Sequence, residues 1–326
     1  MNLHRRHVLG ALSATLASTL PSLAHAQAFP NKPITIIIPY PPGASTDQLG
    51  RFLQQGMTSN NSGLTVIAEN RGGAGGILGS AYVAKSPPDG YRVLLATQPI
   101  ASIYPFLYKD MGFDPIKDLT PLTCGVNAVV ALVVHPSLPV NNVAELIAYG
   151  KKNPGVLNFG TAGSGSPQHI GGLLFAQRAG FDITHVPYKG GGPMVSDLLA
   201  GHIKVGIVTL STVKAHMIDK KLRVIAIGEK VRFAGSPDIP TIAETLSGFE
   251  LTTWLGFFGP GGLPPEQVRY LSNAITQALN TPDIKSKLLD LALPLRTEGP
   301  EALAKLVLAD QDAYGRIIRD NKITAD

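Results

Sequence analysis

Ile34-Thr35-Ile36-Ile37-Ile38-Pro39-Tyr40-Pro41-Pro42-Gly43-Ala44-Ser45-Thr46-Asp47-Gln48-Leu49-Gly50-Arg51 holds the fold in miniature. Its β-branched start, 34–38, reads as a buried strand. The prolines and glycine of 39–43 can continue neither strand nor helix. Ser45 or Thr46 then caps a helix whose apolar positions Leu49, Phe52, Leu53 and Met57 recur at helical spacing. A strand–loop–helix corner of this kind leaves unpaired backbone N–H groups at the positive end of a helix dipole, where an anion can be held.

The same alternation continues outward. Residues 65–69, 92–96, 128–134, 158–160, 185–187, 205–208 and 223–228 read as strands. Residues 46–57, 77–85, 144–152, 168–179, 194–200 and 212–219 read as helices, and alternation on this scale predicts an α/β fold with parallel sheets. Two stretches can carry the chain between domains: 122–134, a polar loop opening onto an apolar strand, and 251–259, which holds the only tryptophan. The tail, 265–322, reads as mostly helical. Two crossings divide the chain into one lobe of 27–125 plus 255–326 and a second of 126–254, with a ligand cleft between them.

The chain has 326 residues, 44% apolar and 16% charged, enough for one large core or two smaller ones. Residues 1–26 have Arg5 and Arg6, an apolar stretch and a closing Ala24-His25-Ala26, the pattern of a cleaved secretory signal; Arg5-Arg6 also fits a twin-arginine signal. The segment contains no acid, so its loss lowers the formal charge from +5 to +3. Lys and Arg are scattered, which argues against nucleic acid. Cys124 stands alone, so no internal disulfide is expected and the thiol reads as a small core residue. No run of ~20 apolar residues follows the signal, and a soluble periplasmic product is expected.

Two further corners resemble the first. Residues 158–167 lead through Thr161-Ala162-Gly163-Ser164-Gly165-Ser166 into a helix, and 186–193 lead through Tyr188-Lys189-Gly190 into another. Glycine lets backbone approach a ligand there, and three such corners point to anion capture by N–H groups. With Lys189 as the one cation of the corners, backbone N–H groups and hydroxyls are expected to outweigh an Arg or Lys clamp. Gly72-Gly73-Ala74-Gly75-Gly76-Ile77-Leu78-Gly79 fails as a dinucleotide fingerprint, because Leu78 replaces the third glycine. No metal-ligand spacing occurs. Ser164 or Ser166 with His169 and Asp47 could be imagined as a hydrolytic set, but Gly-Ser-Gly-Ser-Pro is no nucleophile elbow. His169 is read as a helix-face residue near the cleft, and Asp47 as a cap or loop-orienting group beside a possible ligand contact.

Tyr40 to Arg51, Glu69-Asn70-Arg71-Gly72-Gly73-Ala74-Gly75-Gly76, Pro88-Asp89-Gly90-Tyr91, Gly160 to His169, Tyr188 to Gly201, Pro240-Thr241-Ile242-Ala243-Glu244 and Trp254 to Pro260 together resemble the TctC/Bug family. These are extracytoplasmic solute-binding proteins of tripartite tricarboxylate transporters. The resemblance implies a type II, two-lobed periplasmic binding protein with mixed sheets flanked by helices. It implies a monomer that binds a small carboxylate without cofactor, metal or catalysis and delivers it to a large and a small membrane subunit. Carried over by position, the first-lobe contacts are Tyr40, Pro42, Gly43, Ala44, Ser45, Thr46, Asp47 and Thr97. Those of the second lobe are Thr161, Gly163, Ser164, Gly165, Ser166, His169, Tyr188, Lys189 and Gly190. Thr209 stands where relatives often carry an acid, which disfavours an amino-acid ligand. The alternatives are a ligand-sensing partner protein using the same cleft and an exported serine hydrolase.

Overall fold

The computed structural model describes residues 29–324 except Ala44, Ser62 and Lys189; the export segment read at 1–26 lies outside the described residues. Its elements fall within the compact unit Lys32–Asp326. The chain opens as β1 (Ile34–Ile38), α1 (Ser45–Asn60), β2 (Val66–Asn70), α2 (Ile77–Ala84) and β3 (Arg92–Thr97). A π-helical turn (Pro99–Ile103) and α3 (Tyr104–Leu107) lead to β4 (Leu119–Ala128), which runs almost directly into β5 (Val130–Val134). The middle comprises α4 (Val143–Lys152), β6 (Asn158–Thr161), α5 (Pro167–Ala179), β7 (Thr184–Pro187), α6 (Gly191–Leu199), β8 (Val205–Thr209), α7 (Leu210–Ile218) and β9 (Arg223–Ile227). The end is β10 (Thr253–Pro260), α8 (Pro265–Leu279), α9 (Pro282–Asp290), β11 (Leu295–Glu298) and α10 (Pro300–Asp320).

The strands form a six-stranded sheet, β11-β4-β10-β3-β1-β2, and a five-stranded sheet, β7-β6-β8-β5-β9. Both are mixed rather than parallel throughout. β1 pairs parallel with β2 and β3, and β6 with β7 and β8, as strand–helix–strand steps require. β10 and β5 run antiparallel to their neighbours. These are the strands with which the chain enters a sheet after crossing from the other, between Ala128 and Val130 and again between Ile227 and Thr253.

β4 differs from the expected loop at its start. Pro121 and Gly125 are poor strand residues, yet Leu119 to Ala128 pair along β10. Pro121 lies beyond the stretch that β11 pairs, so its missing N–H costs no ladder bond on that side. A Cβ at Gly125 would stand 2.6 Å from the Phe257 ring, so the close approach of β4 to β10 needs glycine there.

β5 shows why an unbroken apolar run makes a central strand. Val130, Leu132 and Val134 face a core with Leu146, Phe159 and Phe175. Ala131 and Val133 face the opposite core with Met194, Leu198 and Val213. The six-stranded sheet packs Ile37, Leu94, Trp254 and Phe258 against Leu303 and Val307 of α10. Cys124 is buried in that core, where burial pushes its thiol up to about 12 and leaves it inert. Ile103, Ile170 and Ile318 form a small cluster joining α5 to the π-turn and α10.

Candidate functional site

Four helices begin at the rim of one cavity of about 460 Å³. Each follows the C-terminal end of a strand: α1 after β1, α5 after β6, α6 after β7 and α7 after β8. Gly43, Ser45 and Gln48 line it from the α1 corner, Gln168 from α5, and Gly191 and Gly192 from α6. Thr209, Ser211 and Thr212 line it from α7, with Ala162, Val208 and Leu291 as small or apolar wall. Among the described residues, none of its lining carries a charge. Helix starts turned toward one space present N–H groups and positive dipole ends, so the cavity favours an anion with no cation among its described lining residues.

The first jaw is held from behind. Asp47 is 5% exposed, and its Oδ2 accepts from the Gly43 N–H (3.0 Å) and Arg51 Nε (3.1 Å). Its Oδ1 accepts from Asn70 Nδ2 (2.9 Å) and lies 3.0 Å from Arg51 Nη2. Burial pushes this carboxyl up, but the Gly43 N–H, the Asn70 amide and Arg51 together outweigh it and hold the group below the usual carboxylate range. Ser45 and Thr46 are the first two helical residues. Tyr40 Oη and Thr97 Oγ1 lie 2.7 Å apart beneath the loop, where burial pushes the phenol up to about 12.

In the second jaw the two glycine-rich corners are stitched together. The Tyr188 N–H donates to the Thr161 carbonyl (3.1 Å) and the Gly190 N–H to the Ala162 carbonyl (3.0 Å). Thr161, fully buried, accepts the Gly163 N–H on Oγ1 (3.3 Å) and bonds His185 Nε2 (2.7 Å). His169 stacks on His185 with ring centres 3.7 Å apart and accepts the Gly165 N–H on Nδ1 (3.1 Å). Ser166 caps α5 by accepting the His169 N–H (3.1 Å). Tyr188 Oη donates to Asp197 Oδ2 (2.8 Å); burial and then this carboxylate push the phenol up to about 12. Around Thr209, Oγ1 lies 2.8 Å from Thr212 Oγ1 and accepts from Ser211 Oγ (3.4 Å).

Of the residues singled out from the sequence, Gly43, Ser45 and Thr209 line the cavity itself. Pro42 is exposed beside Gly43. Tyr40, Thr46, Asp47 and Thr97 shape the first jaw from behind. Thr161, Gly163, Gly165, Ser166, His169, Tyr188 and Gly190 form or brace the second, and Ser164 lies on the same loop. Ala44 and Lys189 lie outside the described residues. The imagined hydrolytic set is committed to local structure: Ser166 as a cap, His169 Nδ1 as an acceptor, Asp47 as the anchor of its loop. The remaining lining lies outside the residues that the sequence singles out, among it the polar side chains of Gln48, Gln168, Ser211 and Thr212. The corner Val208-Thr209-Leu210-Ser211-Thr212 has the same strand, hydroxyl and helix order as the first, and that rule could have found it.

A family model described as the tripartite tricarboxylate transporter family receptor matches residues 49–323. The solved structure of a periplasmic transporter is 33% identical, covers 92% of this chain and 100% of its own, and has a TM-score of 0.81. R. palustris Rpa4515 with adipate is 30% identical over 91% of this chain and 100% of its own, with a TM-score of 0.82. MatC from Rhodopseudomonas palustris with bound malate is 27% identical over 89% of this chain and 100% of its own, with a TM-score of 0.76.

Proposed function

Because the chain belongs to the TctC family, the receptors of tripartite tricarboxylate transporters, we propose that it captures a small organic carboxylate, above all a dicarboxylate, between its two lobes. The observation that carries this is the cavity rimmed by four helix starts, with hydroxyls and amides but no charged side chain among its described lining residues. A carboxylate there accepts from helix N–H groups on both sides, while Val208 and Leu291 offer apolar wall to a short methylene chain. A dianion bridging both lobes favours the closed arrangement by contacts that an open one lacks. Hinge movement belongs at the two crossings, close to the expected lobe limits at 125/126 and 254/255.

Family membership makes it a solute receptor rather than an enzyme. It works as an exported monomer in the periplasm and hands its ligand to a large and a small membrane subunit. No helix among the described residues is long and apolar enough to cross a membrane. The relatives solved with adipate and malate support a dicarboxylate. A thermal-shift screen of mono-, di- and tricarboxylates and amino acids, followed by calorimetry, tests the ligand class. Stabilisation by adipate or malate is expected; stabilisation by amino acids alone would overturn it.

A further inference from the structure

The glycine-rich segment after β2 fails as a phosphate loop and contributes no residue to the cavity lining, yet it is packed against the first jaw. Asn70, the last residue of β2, lies opposite Ile38 at the end of β1. Its amide donates both to the Tyr40 carbonyl (3.0 Å) and to Asp47 Oδ1 (2.9 Å). Its own oxygen accepts from Arg51 Nη2 (3.1 Å). One side chain thus ties the start of the loop to the carboxylate that holds its Gly43 end.

The glycines fit the same loop from outside. A Cβ at Gly72 would stand 3.2 Å from Pro41 Cδ, and one at Gly76 would stand 2.8 Å from Ile100 Cδ1 and 3.2 Å from the Tyr40 ring. Gly76 also has φ +99°, which a side chain resists. The absence of side chains is therefore used to seat Tyr40 and Pro41.

We propose that Asn70 is a positioning residue and that 70–76 is the mould of the ligand loop: together they preset Tyr40–Gly43 so that the α1 start meets the ligand without rearranging. The proposal rests on the assignment of this corner as one jaw of the ligand site. A loop held in its bound shape avoids the ordering cost of binding, so loosening it weakens affinity from a distance.

The test compares wild type with Asn70→Ala and with Gly72→Val, the latter an exposed position away from any core. Malate and adipate serve as calorimetric probes. Gly43 amide exchange and the Asp47 carboxyl titration are followed by NMR without ligand. Asn70→Ala removes the hydrogen bond to the Tyr40 carbonyl of the loop and those to Asp47 and Arg51 that anchor its Gly43 end, so roughly tenfold weaker binding is expected. Faster Gly43 exchange and an Asp47 titration moved toward the ordinary carboxylate range should accompany it, with core amides unchanged. Gly72→Val should weaken binding in the same direction through Pro41. Wild-type exchange and titration in Asn70→Ala would overturn the proposal, as would wild-type affinity in both variants. If wild type binds neither probe, the dicarboxylate assignment falls, and the ligand-free exchange and titration still decide the role of Asn70.

Discussion

Glu229 stands two residues past β9, where the chain leaves the five-stranded sheet, and both its carboxylate oxygens are buried with no side-chain partner among the described residues, only the Glu229 and Val130 backbone amides standing nearby at poor hydrogen-bond geometry. Burial pushes its pKa up to about 8, against the weaker pull of the Glu229 and Val130 backbone amides and with Glu250 adding repulsion. Glu250 is itself paired to Lys230 at 3.0 Å. A carboxyl raised in the folded state holds its proton there over a range in which the unfolded chain has released it. Stability therefore falls as pH rises from the ordinary glutamate range to about 8, and the loss is complete above that. Glu229→Gln should leave stability nearly unchanged at pH 5 and raise it by about 1–3 kcal/mol at pH 9, since an unpaired buried charge is removed. Thermal unfolding of both proteins across this range checks the sign; equal pH slopes would refute it. Asp47 is the opposite case, a buried carboxylate with a partner for each oxygen. Its place at a helix start was legible in the sequence. Asn70 as its partner was not, because 23 residues separate them and only the register of β2 on β1 brings them together.

At the scale of elements, the strand–hydroxyl–helix corner is the recurring unit. Three of the four corners around the cavity could be read from local chemistry, since glycine, proline and a capping hydroxyl stop a strand and start a helix regardless of what lies nearby. β4 could not, because its strand character comes from pairing along β10 and not from its own Pro121 and Gly125. The fourth corner permits a separation of stability from binding. Thr209 holds the N-cap position of α7 without a side-chain cap bond, and Asp suits a helix start, so Thr209→Asp should keep the melting temperature or raise it slightly. The same charge would face the ligand across the cavity, and malate or adipate affinity should fall by roughly tenfold or more. Calorimetry beside thermal unfolding gives both numbers; undiminished affinity would count against an anionic ligand.

At the scale of the whole molecule, the cleft lacks fixed cations among its described lining residues, so binding should depend little on salt. Between about 50 and 500 mM salt, carboxylate affinity is expected to change by less than roughly threefold, since buried N–H groups are screened far less than surface charges. A steep decline would point to a cation at the ligand instead. Small-angle scattering with and without a bound dicarboxylate should show a smaller radius of gyration when it is present, as bridging of the lobes requires.

Local periodicity, corner chemistry and the ordered motifs sufficed for the α/β class, the strand–helix corners, the buried Cys124 and the family resemblance, because each depends on residues near one another in the chain. Mixed sheets, the placing of four helix starts around one cavity, and the Asn70–Asp47–Arg51 brace came from folding. The physical reason is the same throughout: strand partners and hydrogen-bond partners lie tens of residues apart, and their meeting depends on sheet order and register, which no local pattern encodes.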